Sequence, residues 1–343
     1  MDALSLHRYL EQQAPELEPQ LFETHISWVL LVGNQAYKIK KPVEYDFINT
    51  LDLETRKKLC EKEVKLNRRT AKCLYRGVTP IFRLDNGDLS FGDGSGEPID
   101  YAVEMKRVDT SLQLDHQLRK GGTVSVGQME SLARRLARFH ARAPIVSQQF
   151  NLEELEEEFA DVLFVESIVE SALGKDYAKT LRTIVEHAIE HLWTHAAIFT
   201  ERVKKGFVRD VHGDLHAGNI FMTAPPLIFD CIEFDDSLRR IDLLSELAFL
   251  WLSLDFYKVD NLKGALWDAY QAEMPCMDSY ELPVWDFYLM LRANIKLKVN
   301  ALKLEQANGE QAKAYYRDRC ARYFQLLKTY HLRICKWPEK LIN

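Results

Sequence analysis

Hydrophobic and polar positions change their spacing along the chain. In its first part, short apolar runs alternate with turn residues: Ile26 to Val32 is apolar, residues 33–35 favour a turn, and Ala36 to Lys41 alternates. Two such runs on either side of a short turn predict a β-hairpin with lysines at its far end.

A polar helix and further strands are predicted after this hairpin. The stretch Leu53 to Lys72 favours a helix and places Glu63 and Asn67 at helical spacing. Short strands are predicted at Thr79 to Leu84, Leu89 to Phe91 and Ile99 to Met105. The order of strands, helix and strands predicts a small β-rich lobe.

From about residue 111 the apolar spacing becomes helical. Ser125 and Gln128 predict a capping box at the start of one helix, and Asn151 predicts the cap of the next. Later helices are predicted at Tyr177 to Thr200, Arg240 to Tyr257, Leu262 to Ala272, Val284 to Leu304, and Gln311 to Leu327. A short β-like island interrupts this part at 208–230. We therefore expect an α+β protein with a mainly helical second lobe.

Composition narrows the function classes. The chain has 343 residues, 47% of them hydrophobic, and a net charge of -6, which argues against a general nucleic-acid binder. Six scattered cysteines without a Cys-x-x-Cys favour free thiols in a reducing compartment. The most apolar segment, Leu247 to Leu254, is far shorter than the roughly 20 residues that span a bilayer. We expect a cytoplasmic protein with a small-molecule partner and neither a nucleic acid nor a membrane; its oligomeric state stays open.

The β-like island carries the residues that suggest chemistry. Asn219 to Met222 and Leu227 to Asp230 flank a loop with two prolines. If Met222 stands opposite Leu227, the register places Asn219 opposite Asp230. An amide carbonyl and a carboxylate are hard oxygen ligands suited to Mg²⁺. Asp214, five residues before Asn219, can orient an attacking hydroxyl, as in kinases.

A different chemistry also fits part of this island. Residues 213–216 read Gly-Asp-Leu-His, which superficially matches the Gly-Asp-x-His of metallophosphoesterases. Such sites need a second carboxylate loop and further histidines to hold two metals. Because the chain has ten scattered histidines and no Gly-Asn-His, phosphate-ester hydrolysis is the weaker hypothesis.

The motif His212-x-Asp214-x-x-x-x-Asn219 followed by Asp230 resembles the signature of aminoglycoside phosphotransferase and choline kinase-like enzymes, relatives of the protein kinase fold. The resemblance implies a bilobed protein kinase-like fold. Residues 1–105 would form the small β-rich N-lobe and residues 106–343 the larger, mainly helical C-lobe. It also implies an ATP-dependent small-molecule kinase that uses Mg²⁺.

Four short segments narrow the resemblance to one branch of that family. They are residues 24–28, 37–42, 66–69 and 232–235, which are similar to an uncharacterised bacterial-type branch often fused to a P-loop domain. This sequence contains no Gly-x-x-x-x-Gly-Lys-Ser/Thr, so we expect the kinase-like module alone.

The resemblance implies a role for each matched residue. Asp214 would orient the acceptor hydroxyl, and Asn219 and Asp230 would hold Mg²⁺ against the ATP phosphates. Lys38 would contact those phosphates and pair with Glu63. The remaining nucleotide contacts would come from the turn at Thr24 to Ser27, which replaces a glycine-rich loop, and from the backbone of the strand end at Glu104 and Met105.

Several assignments stay open at this point. Lys40 points the same way as Lys38 on a strand and could be the nucleotide lysine instead. Glu233 could touch metal or substrate, and acidic residues such as Asp235 and Asp236 would suit a cationic or hydroxyl-rich acceptor. The chain could be an active kinase or a nucleotide-binding module without turnover, and it could prefer ATP or GTP.

Five further residues receive a structural interpretation from the sequence. His140 is interpreted as a hydrogen-bonded core histidine, and Asp242 as a cap or anchor of the catalytic loop. Arg292, Lys296 and Lys298 share a late helix, where a solvated or acid-paired face is expected, with an anionic substrate as the alternative.

Overall fold

Strands and one long helix make up the first part of the chain in the computed structural model, which describes residues 2–45, 48–121, 124–146 and 151–336. In chain order these elements are α1 (Ala3–Glu11), β1 (Gln20–Glu23), β2 (Ser27–Val32), β3 (Gln35–Lys40), β4 (Glu44–Tyr45), β5 (Ile48–Asn49), α2 (Leu53–Ala71), β6 (Tyr75–Arg83), β7 (Leu89–Phe91) and β8 (Asp100–Lys106).

Helices dominate the rest of the described chain. They are α3 (Leu114–Arg119), α4 (Val126–Arg142), α5 (Leu152–Ala160), α6 (Glu166–Leu173), α7 (Lys175–Thr194) and α8 (Ala196–Lys204), followed by the short strands β9 (Val208–Asp210), β10 (Ile220–Phe221), β11 (Leu227–Ile228) and β12 (Arg240–Asp242), and then α9 (Leu243–Tyr257), α10 (Asp260–Glu273), α11 (Leu282–Gln306) and α12 (Glu310–Ile334). None of the described helices is long and apolar enough to cross a membrane. The cytoplasmic location stays a prediction.

Six strands of the first part form one antiparallel sheet in the order β1-β2-β3-β8-β6-β7, and β4 pairs with β5 in a separate small sheet. The predicted hairpin is confirmed, with Val32 paired to Gln35 at the turn and Ser27 paired to Lys40 at the far end. Gly33 adopts a φ of 56°, a left-handed conformation that glycine accepts without steric cost.

Helix α2 packs against this sheet and presents polar side chains to it. Its N-cap is Asp52, whose carboxylate accepts a hydrogen bond from Thr55 N at 2.8 Å. Its buried side includes Glu63 and Asn67 among apolar residues that share a core with β8. A buried carboxylate needs a paired cation, so this face of α2 fixes where positive charge must lie.

The described chain forms two compact units. One contains the described residues of 1–117 together with 218–239, and the other contains those of 118–217 and 240–343. In the second unit α11 packs against α12 and α9, and α10 packs against α4. The predicted α+β class is confirmed, while the predicted lobe boundary at residue 105 stays a prediction.

Local helix signals predict two helix caps correctly and the bounds of two helices wrongly. Ser125 and Gln128 form the predicted capping box, and Asn151 caps α5. The predicted helix Tyr177 to Thr200 is wrong because it breaks at His195, whose Nδ1–H donates to the His191 carbonyl at 2.9 Å.

The predicted helix start at Arg240 is also wrong. Residues Arg240–Asp242 pair as β12 with β9, and α9 begins only at Leu243. Asp242 caps this helix by accepting a hydrogen bond from Leu244 N at 2.8 Å.

Candidate active site

Two lysines on β3 converge on one glutamate of α2. Lys38 and Lys40 are two positions apart, so they lie on the same face of the strand. Lys38 Nζ lies 2.9 Å from Glu63 Oε1, and Lys40 forms an ion pair with Glu63 Oε2. Each oxygen of Glu63 thus faces a cation, which compensates the charge of this fully buried carboxylate.

The second partners of the two lysines differ. Lys38 Nζ lies 2.5 Å from Asp230 Oδ1, and the Asp230 side chain is 43% exposed. Lys40 is fully enclosed and pairs with Glu233, which is also buried. Lys38 therefore connects the buried network to a solvent-accessible carboxylate, whereas Lys40 closes the network from inside.

Charge compensation keeps this network ionised. Burial by itself would lower the pKa of Lys38, but Asp230 and Glu63 outweigh it and hold that pKa well above its ordinary value. Burial opposes the charged form of Lys40 too, and Glu233 with Glu63 raises the pKa of Lys40. Burial raises the pKa of Glu233, against the pull of Lys40.

The predicted register of the island hairpin is wrong by one position. Phe221 pairs with Leu227 and Ile220 with Ile228, so Asn219 stands opposite Phe229, whose N–H donates to the Asn219 carbonyl at 3.0 Å. The physical reason is that Met222 N–H leaves the hairpin and donates to the Leu112 carbonyl at 2.7 Å. The loop thereby gains a residue, and Asp230 falls one residue beyond the position opposite Asn219.

Asp230 is held by its backbone in an unusual conformation. Its φ is 63°, in the left-handed region that residues other than glycine rarely occupy. Its N–H donates to the Tyr75 hydroxyl at 3.1 Å, and the next N–H, of Cys231, donates to Asn67 Oδ1 at 2.9 Å. Thr70 of α2 donates to the Ile228 carbonyl at 2.7 Å. Helix α2 thus fixes both the hairpin and the direction of the Asp230 carboxylate.

The segment from Thr24 to Ser27 forms the tight connection between β1 and β2. Thr24 N–H donates to the Ser27 carbonyl at 2.8 Å, and Ser27 N–H donates to Thr24 Oγ1 at 2.9 Å. Ser27 stands opposite Lys40, so its side chain lies on the same sheet face as the two lysines. Within the described residues, the buried Ser27 hydroxyl has no hydrogen-bond partner.

Glu104 and Met105 lie among the last three residues of β8, at the predicted strand end. Strands β3 and β6 flank them on both sides, and β8 ends at Lys106. The Glu104 carboxylate accepts hydrogen bonds from Thr79 Oγ1 at 2.8 Å and from Arg76 at 3.2 Å. A backbone contact to a planar ligand at this strand therefore needs the residues that follow Lys106.

In the second unit, Glu246 organises the loop that contains Asp214. The N–H groups of His212 and Gly213 donate to the two Glu246 oxygens at 2.8 and 3.0 Å. Burial alone would raise the pKa of Glu246, but the neighbouring His140, whose Nε2 lies 3.7 Å from Glu246 Oε1, lowers it. Glu246 is not among the residues predicted from the sequence, although a glutamate within the largely apolar helix α9 indicates that it has a buried partner.

The residues around Glu246 support the structural interpretation of two predicted positions. His140 is buried, and its Nδ1 lies 2.8 Å from the Tyr270 hydroxyl, as expected for a hydrogen-bonded core histidine. Asp242 forms a buried two-point ion pair with Arg202 at 2.7 and 2.7 Å. It therefore anchors the start of α9 instead of facing a ligand.

Asp214 is held as a carboxylate. Its Oδ2 lies 3.4 Å from His216 Nε2, and its N–H lies 3.3 Å from His212 Nδ1. Burial would raise the pKa of Asp214, but the charges of His216 and Lys296 outweigh it and hold this pKa far below its usual range. A carboxylate that stays ionised can accept a hydrogen bond from a hydroxyl and orient it.

The acidic residues considered for a cationic acceptor already have partners in the first unit. Glu233 pairs with Lys40, and Asp236 Oδ1 lies 2.7 Å from both Lys62 and Arg239. Asp235 accepts hydrogen bonds from the Ser237 N–H and hydroxyl. These carboxylates are engaged in intramolecular contacts, which weakens the expectation of a cationic acceptor.

The described residues do not support a two-metal site at residues 212–216. In the part of the chain that the structure describes, three histidine, cysteine or acidic side chains are close enough to share a metal ion at a different place, on α7 and at the end of α12. Two-metal hydrolysis needs several such ligands around the Gly-Asp-x-His segment. The geometry therefore favours the kinase-type interpretation.

Comparison with known sequences gives matches over most of the chain. The profile of the phosphotransferase enzyme family matches residues 100–281, slightly more than half of the chain. An uncharacterised protein of Mycobacterium tuberculosis strain H37Rv is 30% identical over 296 residues, which cover 84% of this chain and 56% of that protein. A Mycobacterium bovis protein matches to the same extent. The chain thus spans about half the length of the curated relatives it matches.

Solved structures of two kinases resemble the whole described fold. A choline/ethanolamine kinase family protein from Mesorhizobium loti covers 97% of this chain and 99% of its own, with a TM-score of 0.54 and 16% identity. The choline kinase from Cryptosporidium parvum Iowa II covers 93% of this chain and 91% of its own, with a TM-score of 0.51 and 12% identity. The predicted protein kinase-like fold is confirmed.

Proposed function

Because the chain belongs to the phosphotransferase enzyme family, we propose that it transfers the γ-phosphoryl group of ATP to a hydroxyl of a small molecule. The observation that carries the proposal is the position of Lys38, whose Nζ lies 2.9 Å from the buried Glu63 and 2.5 Å from the exposed Asp230. A cation anchored by a buried acid and reaching an accessible carboxylate is the arrangement that kinases use at nucleotide phosphates.

The donor side is built from residues of the first unit. Asn219 and Asp230 offer the hard oxygen atoms that would hold Mg²⁺, which would neutralise phosphate charge and position the phosphates. Lys38 would contact the phosphates, and Glu63 would fix its direction. Lys40, enclosed between Glu63 and Glu233, would act as a structural cation.

Two further parts of the first unit would complete the nucleotide site. The Thr24–Ser27 turn would cover the phosphates, and the buried Ser27 hydroxyl, which has no hydrogen-bond partner among the described residues, would donate to a phosphate oxygen. Glu104 and Met105 would border the adenine. Because β3 and β6 flank both residues, we assign the backbone contact itself to residues 107–109.

Asp214 would act on the acceptor. In the reaction, the bond between the γ-phosphorus and the bridging oxygen breaks to give ADP, and the acceptor oxygen forms the new bond to phosphorus. The hydroxyl proton passes to Asp214 and then to solvent. Because the pKa of Asp214 is far below its usual range, the carboxylate orients the hydroxyl first and takes the proton late, as the new bond forms.

The proposal is tested by calorimetric titration with ATP and GTP, with and without Mg²⁺, and by a screen for nucleotide consumption with sugars, amino alcohols, aminoglycosides and nucleosides. We expect saturable, Mg²⁺-dependent nucleotide binding and one phosphorylated product for each ADP formed. Binding without any phosphorylated product would favour a nucleotide-binding module without turnover. Hydrolysis of a phosphate ester with Mn²⁺ and no nucleotide would overturn the kinase assignment.

A further inference from the structure

One side of α11 presents cations toward the loop that contains Asp214. Arg292, Lys296 and Lys303 are spaced by four and seven residues, which places them on the same side of a helix. Lys296 Nζ lies 4.6 Å from the centre of the Phe249 ring, and the Arg292 guanidinium lies 5.0 Å from it. Lys296 and Arg292 therefore both contact one aromatic ring of α9, and Lys303 follows on the same side of α11.

The same ring connects the cations to Asp214. The His216 ring packs edge-on against Phe249 at 5.6 Å between centroids, and His216 Nε2 lies 3.4 Å from Asp214 Oδ2. Lys296 is close enough that its charge lowers the pKa of Asp214. The cationic side of α11 thus faces the carboxylate that would orient the acceptor hydroxyl.

Positive charge exceeds negative charge in this region. Among the described residues, Lys296 and Lys303 form no ion pair with a carboxylate, whereas Lys298 on the same helix pairs with Asp161. Arg319 of α12 donates to neutral oxygens, Asn300 Oδ1 at 2.9 Å and the Tyr323 hydroxyl at 3.1 Å.

The buried Arg292 also binds neutral oxygens. It donates to the Ser245 carbonyl at 3.1 Å and to the Ser245 hydroxyl at 2.9 Å. Burial lowers the pKa of Lys296, Asp214 opposes this shift, and the neighbouring cations Lys303 and Arg319 add to it. Two carboxylates, Asp214 and Glu158 near Arg292, therefore stand against four cations.

We propose that the phosphoryl acceptor is an anionic alcohol, whose hydroxyl contacts Asp214 while its carboxylate or phosphate group is bound by Lys296 and Lys303. This proposal rests on the proposed kinase function. The anionic group of such an acceptor would compensate the excess positive charge of Lys296 and Lys303 at the same place where its hydroxyl contacts Asp214. A cationic acceptor would instead add to the repulsion around Lys296.

The test compares acceptors that share hydroxyl groups and differ in charge. One set is D-glycerate, glycerol and 2-amino-1,3-propanediol, and the other is D-gluconate, D-sorbitol and D-glucamine. Each is titrated into the protein with and without Mg²⁺ and a non-hydrolysable ATP analogue. We expect the anionic member of at least one set to bind about tenfold more tightly than its neutral and cationic partners.

Variants separate an anion site from general electrostatics. Lys296→Gln and Lys303→Gln should each reduce the anion preference at least severalfold, while Lys298→Gln, whose ammonium is paired with Asp161, should leave it unchanged. If no anion binds more tightly than its neutral partner while the ATP analogue binds normally, the acceptor proposal alone is overturned. If the analogue does not bind, the kinase function and the acceptor proposal both fail.

Two histidines and a cysteine lie close together where α7 packs against α12, and they carry a second, independent proposal. His187 Nδ1 lies 2.9 Å from His331 Nε2, and Cys335 Sγ lies 3.4 Å from the same nitrogen. His331 lies in the last turn of α12 and Cys335 is its C-cap, four residues later, so the two lie on one side of the helix end. The three ligand atoms lie within 4.8 Å of one another.

We infer that these three side chains bind a divalent transition metal of the zinc class. Two imidazole nitrogens and a thiolate are ligands that Zn²⁺ prefers, and such separations between donor atoms suit a tetrahedral ion with a water as its fourth ligand. On binding, the Cys335 thiol releases its proton.

Cobalt and zinc titrations of the full chain test this site. We expect a thiolate-to-Co²⁺ absorption band, displacement of Co²⁺ by Zn²⁺, and a higher melting temperature with metal because the ion would link α7 to α12. Cys335→Ser should abolish the band, whereas Cys73→Ser, at an exposed cysteine of the other unit, should not. No band in the wild type, or an equal band in Cys335→Ser, would overturn the site.

Discussion

At the scale of single residues, the two lysines of β3 share Glu63 and differ in what lies beyond it. Lys38 reaches the exposed Asp230, and Lys40 is enclosed with Glu233. The sequence could not separate them, because alternate strand positions point the same way. Their second partners come from a segment nearly two hundred residues later in the chain, which local spacing cannot reveal.

Substitution by methionine should separate the two roles. Lys38→Met should weaken Mg·ATP binding at least about tenfold with a small change in melting temperature, because it removes a proposed phosphate contact. Lys40→Met should lower the free energy of unfolding by about 3–5 kcal/mol, because it leaves Glu63 and Glu233 buried without their cation. Calorimetry and urea unfolding measure the two effects; equal loss of binding in both variants, with equal stability, would contradict the assignment.

Glu246 sets the second prediction at this scale. Glu246→Gln replaces an acceptor oxygen by an amide donor that faces the N–H groups of His212 and Gly213. We expect faster hydrogen exchange at those two amides and slower phosphoryl transfer, with Mg·ATP affinity unchanged, since the proposed nucleotide contacts are in the other unit. Glu305→Gln, at an exposed position of α11, serves as the control. Unchanged exchange at both amides would show that Glu246 does not hold the loop.

At the scale of elements, α7 carries a histidine that links stability to pH. His191 is buried, its Nε2–H donates to the Pro283 carbonyl at 2.9 Å, and burial lowers its pKa from 6.5 to about 4. Because the unfolded chain binds the proton more readily, the stability due to neutral His191 is full above the unfolded pKa. It is lost as the pH falls from 6.5 toward 4.

This linkage predicts an acid-sensitive packing of α7. The wild type should lose about 2 kcal/mol of unfolding free energy between pH 7 and pH 5 through His191 alone. His191→Gln should be less stable at pH 7 but lose that part of the pH dependence, and His7→Gln, at an exposed position of α1, should retain it. Urea unfolding at the two pH values measures the difference. An unchanged pH dependence in His191→Gln would contradict the lowered pKa.

Elements whose signals are local could be predicted, and those that depend on distant partners could not. The hairpin β2–β3, helix α2 and the capping box at Ser125 follow from apolar spacing and capping residues. The strand β12 exists because it pairs with β9, about thirty residues earlier in the chain. The hairpin register shifted because Met222 N–H donates to Leu112, a contact that no local pattern encodes.

At the scale of the whole molecule, the motif His212–Asn219 with Asp230 indicated the family, and the protein kinase-like fold is confirmed. Motifs of this kind reveal the proposed donor side because ATP and Mg²⁺ demand a fixed set of residue types. The acceptor side has no comparable sequence pattern. The two cations that contact Phe249 come from α11, and their position against that ring is visible only once α11 is packed against α9.

The central claim is that Asp214 acts on the acceptor while Asp230 acts on the nucleotide, and one paired titration tests it directly. Mg·ATP is titrated into Asp214→Ala and Asp230→Ala, and phosphoryl transfer to an acceptor is measured on the same samples. We predict that Asp214→Ala binds Mg·ATP within about threefold of the wild type and transfers nothing, whereas Asp230→Ala binds it at least about tenfold more weakly. Full transfer by Asp214→Ala, or unchanged Mg·ATP binding by Asp230→Ala, would contradict the claim.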